Sequence, residues 1–257
     1  MAFTSFRFIV FLVLAAAAYF LTPKRCRWVT LFVANYVFYF ISGGKIFVYL
    51  LATTITTYLA TVKIGDMAAK NKIAFNEAKA ELDKEGKKAW KAAFAKKKKR
   101  ILVPTVLFNF GILAVLKYSA FVTTNINALF GKFGIGTELP VFQFLLPLGI
   151  SFYTFQSMGY LIDVYREKQE PERNFFKLAL FISFFPQIVQ GPIPRHSQLA
   201  HQLYEGHDFD YDRLCKGVQL MVWGLFKKLV VGERIAIAVD YLFANYQSYT
   251  GLIVFMG

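Results

Sequence analysis

A chain of 257 residues that is 56% hydrophobic and 18% aromatic is more apolar than soluble domains, which average roughly 45–50%; this is a membrane composition. Its formal net charge is +14, and thirteen Lys/Arg against five Asp/Glu between residues 63 and 100 concentrate +8 of it in one segment. No nucleic-acid recognition motif accompanies that charge, so nucleic acid is set aside, and lipid headgroups and membrane orientation are its first uses.

Residues 8–22 form an uncharged run behind Arg7. A cleavable leader has this shape, but another apolar run follows at once and no soluble domain waits to be exported, so a retained first span is expected. A basic turn, Lys24-Arg25-Cys26-Arg27, precedes a second span over 28–41. A tight turn, Ser42-Gly43-Gly44-Lys45, leads to a third over 46–62. Residues 1–62 therefore read as three transmembrane helices. Residues 63–100, rich in Ala, Lys and Glu, read as an amphipathic helix lying along the cytoplasmic face, or as a docking surface for an acidic partner. The two basic segments are separated by two spans and so fall on one side. The positive-inside rule makes that side cytoplasmic.

Residues 101–123 form a fourth span with Pro104 in its first turn, where proline does least harm. After a glycine-containing loop come two apolar runs with breakers inside them. Pro147 and Gly149 interrupt the first. Pro186, Gly191 and Pro192 interrupt or end the second, which at residues 175–189 suits a re-entrant segment. Each proline removes a backbone donor, and broken backbone is tolerated at membrane depth only inside protein or beside a wet cavity. Ser151, Gln156, Asp163, Gln187, Gln190 and Arg195 lie in the same region, and polar groups at that depth mark a pathway or site. The apolar stretch 217–244 carries Lys227, Lys228, Glu233 and Arg234, so it lies shallow or turns these groups to protein and water. The chain stops at Gly257 in the opening of another apolar segment, as if cut. Cys26 and Cys215 lack any C-x-x-C spacing and are assigned to packing.

The pieces L-P-L-G-I-S-F-Y-T-F-Q (146–156), Y-L-I-D-V-Y-R (160–166), F-F-P-Q-I-V-Q-G-P-I-P-R (184–195) and G-L-F-K-K-L-V-V-G-E-R-I-A (224–236), in that order, resemble the membrane-bound O-acyltransferase family. The nearer likeness is to its bacterial branch, which acylates cell-envelope and exported polysaccharides, as in alginate acetylation and teichoic-acid D-alanylation. The resemblance implies an all-α polytopic protein of the bacterial cytoplasmic membrane, with residues 101–257 as the N-terminal part of an incomplete core. It implies transfer of an acyl group, acetyl being expected, from a thioester donor at the cytoplasmic face to a polysaccharide hydroxyl, directly or through a partner protein. No bound cofactor or metal is expected. The family's catalytic histidine lies beyond the K-K-L-V segment, hence beyond Gly257, so no catalytic residue is assigned here. A scaffold or split-enzyme subunit and a polysaccharide or lipid transporter are the rival readings; no inverted repeat supports the last.

The remaining candidates are supporting residues. His196, His201 and His207 read as solvated loop histidines, His196 being the best placed for chemistry. Arg195 either binds an anion or caps carbonyls freed by the prolines. Gln156 and Ser151 line a donor path or bond across helices. Asp163 is expected to pair with Arg166 or with Lys227 and Lys228. Gly149 and Gly191 permit bends or close backbone approach.

Overall fold

The computed structural model describes residues 5–79, 83–134, 139–141, 144–188, 191–248 and 251. Among them the regular elements are all helical: α1 (Phe6–Leu21), α2 (Arg27–Gly43), α3 (Val48–Ala78), α4 (Lys84–Lys132), α5 (Ile150–Tyr165), α6 (Phe175–Ser183), α7 (Phe185–Ile188), α8 (His196–Tyr204), α9 (Tyr211–Phe226) and α10 (Glu233–Ala244), with short 3-10 turns and a π-helical stretch, Lys227–Gly232, between α9 and α10. Two of them, α3 and α4, are long and apolar enough to cross a membrane. The chain divides into two compact units, residues 13–206 and a second made of 2–12 with 207–257.

In the first unit α3 is the central post, packed on α4, α5 and α6, while α2 lies against α6, α7 and α8. The buried face of α3 includes Thr53, Thr54, Thr57 and Thr61. Small polar side chains of this kind let helices approach closely where water-driven packing is absent. Thr54 Oγ1 donates to its own helix at Leu50 O, 2.8 Å, and Thr61 Oγ1 to Thr57 O, 2.9 Å. Asn109 of α4, almost fully buried, donates to Thr56 Oγ1 at 3.1 Å and to Thr105 O at 2.9 Å. One amide thus joins α3 to α4 without an exposed donor.

The basic segment is not a separate surface helix. Its first part extends α3, and its second is the start of α4, a single helix of 49 residues, about 73 Å long at 1.5 Å per residue. Asp83 caps α4 by accepting from Gly86 N at 2.6 Å. Lysine and alanine are good helix formers, so nothing stops the helix between Lys84 and the apolar run. Pro104 consequently sits in the helix interior rather than in a first turn. The two basic arms form an antiparallel pair held by Trp90 Nε1 donating to Asn71 Oδ1, 3.0 Å, with Phe75 against the Trp90 ring and Lys91 over Phe75. At the base of the pair Lys98 is buried. Its Nζ donates to Tyr165 O at 2.9 Å and pairs with Glu167 at 2.5 Å, and it lies over the Phe94 and Tyr165 rings. This cation faces the C-terminal carbonyl end of α5, the negative end of the helix dipole.

Residues 167–174 then lie along α3. Tyr58 Oη donates to Arg173 O at 2.8 Å, Arg173 pairs with Asp66 at 2.8 Å, and Pro171 sits against Gly65 where a Cβ has no room. Of the cysteines, Cys26 is exposed rather than packed and Cys215 is half-buried.

The leucine–proline–leucine–glycine stretch ends the first apolar run as an open segment, and α5 begins only at Ile150. Gly149 is left-handed, φ 69°, and a Cβ there would clash with the Ile188 side chain and lie 2.8 Å from Ile188 O. The turn before α5 is thereby pressed onto α7. Gly149→Ala is expected to cost on the order of 2–4 kcal/mol, from left-handed strain plus overpacking. A lowered thermal midpoint in detergent, with Gly159→Ala as the open-space control, checks it.

Candidate functional site

The most enclosed element of the first unit is one of the shortest. Leu178, Ala179, Leu180, Phe181 and Ile182 of α6 are each 0% exposed. Asn174 starts the helix by accepting from Phe176 N and Lys177 N at 3.0 and 3.3 Å. It ends at Phe184, whose ψ of 98° breaks the helix, and α7 resumes for four residues with Pro186 in its first turn. Proline disfavours helical backbone at the residue before it and supplies no donor, so a break just upstream is the expected response.

The break separates the carbonyl of Phe181 from the amide of Phe185, the pair that an uninterrupted helix would join. Each half finds an amide side chain on a neighbouring helix. Asn35 of α2, 0% exposed, accepts from Phe185 N with its Oδ1 at 3.1 Å. Gln156 of α5, 3% exposed, donates its Nε2 to Phe181 O at 2.9 Å. Ring packing of Phe38 on Phe185, centroids 4.9 Å apart, fixes α2 on the break. Below it, Phe184 O accepts from Gln187 N and Ile188 N, and Gly191 N bonds back to Gln187 O at 2.8 Å. A Cβ at Gly191 would meet the Gln187 backbone, so this glycine serves a close approach.

The remaining sequence candidates spread around this centre. Ser151 is half-buried in the first turn of α5, Gln187 is half-buried in α7, and Gln190 lies outside the described residues. Pro147 is buried; Pro192 and Arg195 are exposed. Arg195 opens α8, and its backbone N donates to Gln198 Oε1 at 3.4 Å. Asp163 is half-buried and, among the described residues, makes no ion pair with Arg166. The ion pair that closes this end of α5 is Lys98–Glu167, because the turn after α5 brings Glu167, at φ 58°, back to α4. In the second unit Lys227 and Lys228 begin the π-helical stretch, both exposed, with Lys227 Nζ 5.8 Å from the centre of the Trp223 ring. His201 is exposed on α8 and His207 is half-buried.

His196 corrects the reading of a solvated loop histidine. It is the first residue of α8 and only 6% exposed. Its ring lies 4.6 Å from that of Tyr160 and 4.8 Å from that of Phe181. Tyr204 Oη donates to Lys177 O at 2.8 Å and sits 3.5 Å from His196 Nε2. With that hydroxyl proton committed, the arrangement favours Nε2 as the protonated nitrogen, leaving Nδ1 as a buried acceptor without a partner. Loss of hydration lowers the imidazole pKa from 6.5 to about 4 and pushes the Tyr204 phenol well up. Sequence polarity around G-P-I-P-R-H-S-Q pointed to solvent. The burial comes from aromatic residues 36 and 15 positions earlier, which no local pattern reveals.

Asn35 was also missed. Its signal is a single amide inside the apolar run W-V-T-L-F-V-A-N-Y-V-F, the kind of intramembrane polar residue that marks a partner. Tyr39, Tyr153 and Ser183 were passed over as ordinary span residues.

These elements define a helical membrane protein whose polar interior is gathered at a broken helix. No family model matches the chain, and no solved structure matches it. Among curated proteins, the probable alginate O-acetylase AlgI of Pseudomonas syringae pv. tomato is 29% identical over 252 residues, covering 98% of this chain and 44% of its own length. The peptidoglycan O-acetyltransferase of Helicobacter pylori is 30% identical over 168 residues, 55% of this chain and 31% of that one. The teichoic acid D-alanyltransferase of Lacticaseibacillus rhamnosus is 28% identical over 95 residues, 33% of this chain and 21% of that one. The chain is a homologue of bacterial acyltransferases of the membrane-bound O-acyltransferase type. It spans less than half the length of these relatives.

Two expectations follow from the site. Asn35→Leu and Gln156→Leu each remove a buried hydrogen bond to the backbone at the break and are expected to cost about 1–3 kcal/mol, read as a lowered melting midpoint. For His196, the folded pKa lies below the unfolded value. Between pH 6.5 and about 4 the unfolded chain therefore binds a proton that the native one does not. Stability is highest above that window and falls through it as pH drops, by up to about 3 kcal/mol. Melting midpoints against pH should show a shallower decline for His196→Phe than for the unmodified chain; parallel curves would contradict a neutral buried imidazole.

Proposed function

We propose that the protein is a membrane-bound O-acyltransferase of the bacterial cytoplasmic membrane, crossing it several times, that transfers an acyl group, acetyl in the first instance, to hydroxyls of a cell-envelope or exported polysaccharide. The observation that carries this is homology over 98% of the chain to proteins named as alginate O-acetylases, joined to a buried break lined by neutral amides and hydroxyls. The reaction joins the acceptor oxygen to the acyl carbon and releases the donor as a thiol, with the hydroxyl proton passing to a base and on to the thiolate.

In this reading the donor is a thioester, and the basic helix pair faces it on the cytoplasmic side. The arms over 63–78 and 84–100 extend roughly 24 Å past the apolar part of their helices, more than two Debye lengths at physiological salt. Their distal lysines then act on an anionic soluble donor or its carrier more than on headgroups beneath. His196 serves this scheme as a packing residue: a base with a pKa of about 4 takes up little proton at neutral pH. The base is assigned to the family's histidine, which the resemblance places beyond this chain. The polysaccharide acceptor arrives from the other face, directly or through a partner protein.

A strain lacking the protein should lose ester-linked acetate from its envelope or exported polysaccharide, measured by alkaline release and proton NMR, and regain it on complementation. Unchanged ester content would remove the proposal.

A further inference from the structure

Around the helix break, five buried polar atoms have hydrogen-bonding capacity that no described protein group takes up: Asn35 Nδ2, Tyr39 Oη, Tyr153 Oη, Ser183 Oγ and Gln187 Oε1. Asn35 and Ser183 are 0% exposed, Tyr153 1% and Tyr39 4%. They belong to four helices, α2, α5, α6 and α7, which meet around the break. The bond from Phe185 N to Asn35 Oδ1 sets Asn35 at the break, with Ser183 two residues before that amide and Gln187 two after. Tyr39 follows Asn35 by one turn and so shares its face of α2. Tyr153 bonds its backbone N to Gly149 O, and Gly149 rests on Ile188 of α7.

Buried groups of this kind are almost always satisfied in native proteins, and a local concentration of exceptions points to an occupant. The chemistry of the cluster selects which one. The buried charged or titratable side chains Arg27, Lys98 and His196 are engaged elsewhere: Arg27 with Thr22 O and Phe20 O, Lys98 with Glu167, His196 in its aromatic cage. An ion would therefore enter without a counter-charge, at a cost of several kcal/mol. Asn35 Nδ2 can only donate and Gln187 Oε1 can only accept, while the three hydroxyls do either. A carbonyl or carboxylate would leave Gln187 unmet, and a cation would leave Asn35 unmet. A hydroxyl group both donates and accepts, so it can serve Asn35 Nδ2 and Gln187 Oε1 alike, and the three hydroxyls adapt to what remains.

We propose that this cluster is a binding site for a neutral hydroxyl-bearing ligand held at the break between α6 and α7. Two sources share that chemistry: resident water, and a saccharide hydroxyl of the acceptor. The second rests on the acyltransferase reading; the site itself does not.

The test is radiolytic hydroxyl-radical labelling of the full chain in lipid nanodiscs in isotopically labelled water, read by mass spectrometry at single residues. Tyr160 is the internal control, since it is 2% exposed and its hydroxyl accepts from Glu172 N at 2.6 Å. Tyr39 and Tyr153 should be oxidised severalfold faster than Tyr160 despite equal burial. Protection of both by an alginate trisaccharide or chitotriose identifies the saccharide source. Labelling that neither probe alters identifies water. Rates equal to that of Tyr160 would mean a dry cluster and overturn the proposal. A second measurement uses Tyr39→Phe and Tyr153→Phe, which keep the ring and remove the hydroxyl. A lowered melting midpoint is expected if the hydroxyl is bonded to an occupant; an equal or raised midpoint, the result of deleting an unsatisfied group, overturns it. Both readouts are independent of turnover, so polysaccharide acetylation can fail while this site stands.

Discussion

One interrupted hydrogen bond organises the first unit. An unbroken helix would join Phe181 O to Phe185 N; Pro186 and the turn at Phe184 part them. In an apolar surrounding each half left alone would cost several kcal/mol. Gln156 from α5 takes the carbonyl and Asn35 from α2 takes the amide. Three helices are thereby tied to one point by two buried hydrogen bonds. Gly149, by letting the turn before α5 touch Ile188, brings the leucine–proline–leucine–glycine turn and the phenylalanine–proline–glutamine break into one structural knot.

Part of this was legible in the chain. The breakers at Pro147, Gly149 and Pro186 announce themselves because proline and left-handed glycine act through their own backbone. Gln156 stood out as an amide inside an apolar run. Asn35 carried the same signal but lies 150 residues from the amide it serves, and nothing local in α2 names that partner. His196 was misjudged for a related reason. Its immediate neighbours are polar, whereas its surroundings are Tyr160 and Phe181. Asp163 was expected to pair with Arg166 or with Lys227 and Lys228; it makes no ion pair with Arg166, and the reversal of the chain after Tyr165 brings Glu167 to the buried Lys98.

The long basic helix pair teaches a different lesson. Composition identified residues 63–100 as helical and basic, and among the described residues 63–78 and 84–100 are helical. Composition does not say where a helix starts relative to the apolar run beside it. With Asp83 as cap and good helix formers from Lys84 onward, α4 passes through Pro104 without ending. The lysines therefore continue the axis of the long apolar helices α3 and α4 instead of forming a separate helix. Charge count alone cannot separate those two geometries; helix continuity does.

Charge is kept at the margins of the first unit and neutrality at its centre. Lys98 is held by Glu167, Arg27 by backbone carbonyls, and His196 is neutral within an aromatic cage. What remains at the break is a set of amides and hydroxyls able to donate and accept without ionising. Such a lining stabilises a hydroxyl weakly and in either sense. The helix break supplies that lining at low structural cost, because Asn35, which repairs the backbone through its Oδ1, leaves its Nδ2 buried beside the break.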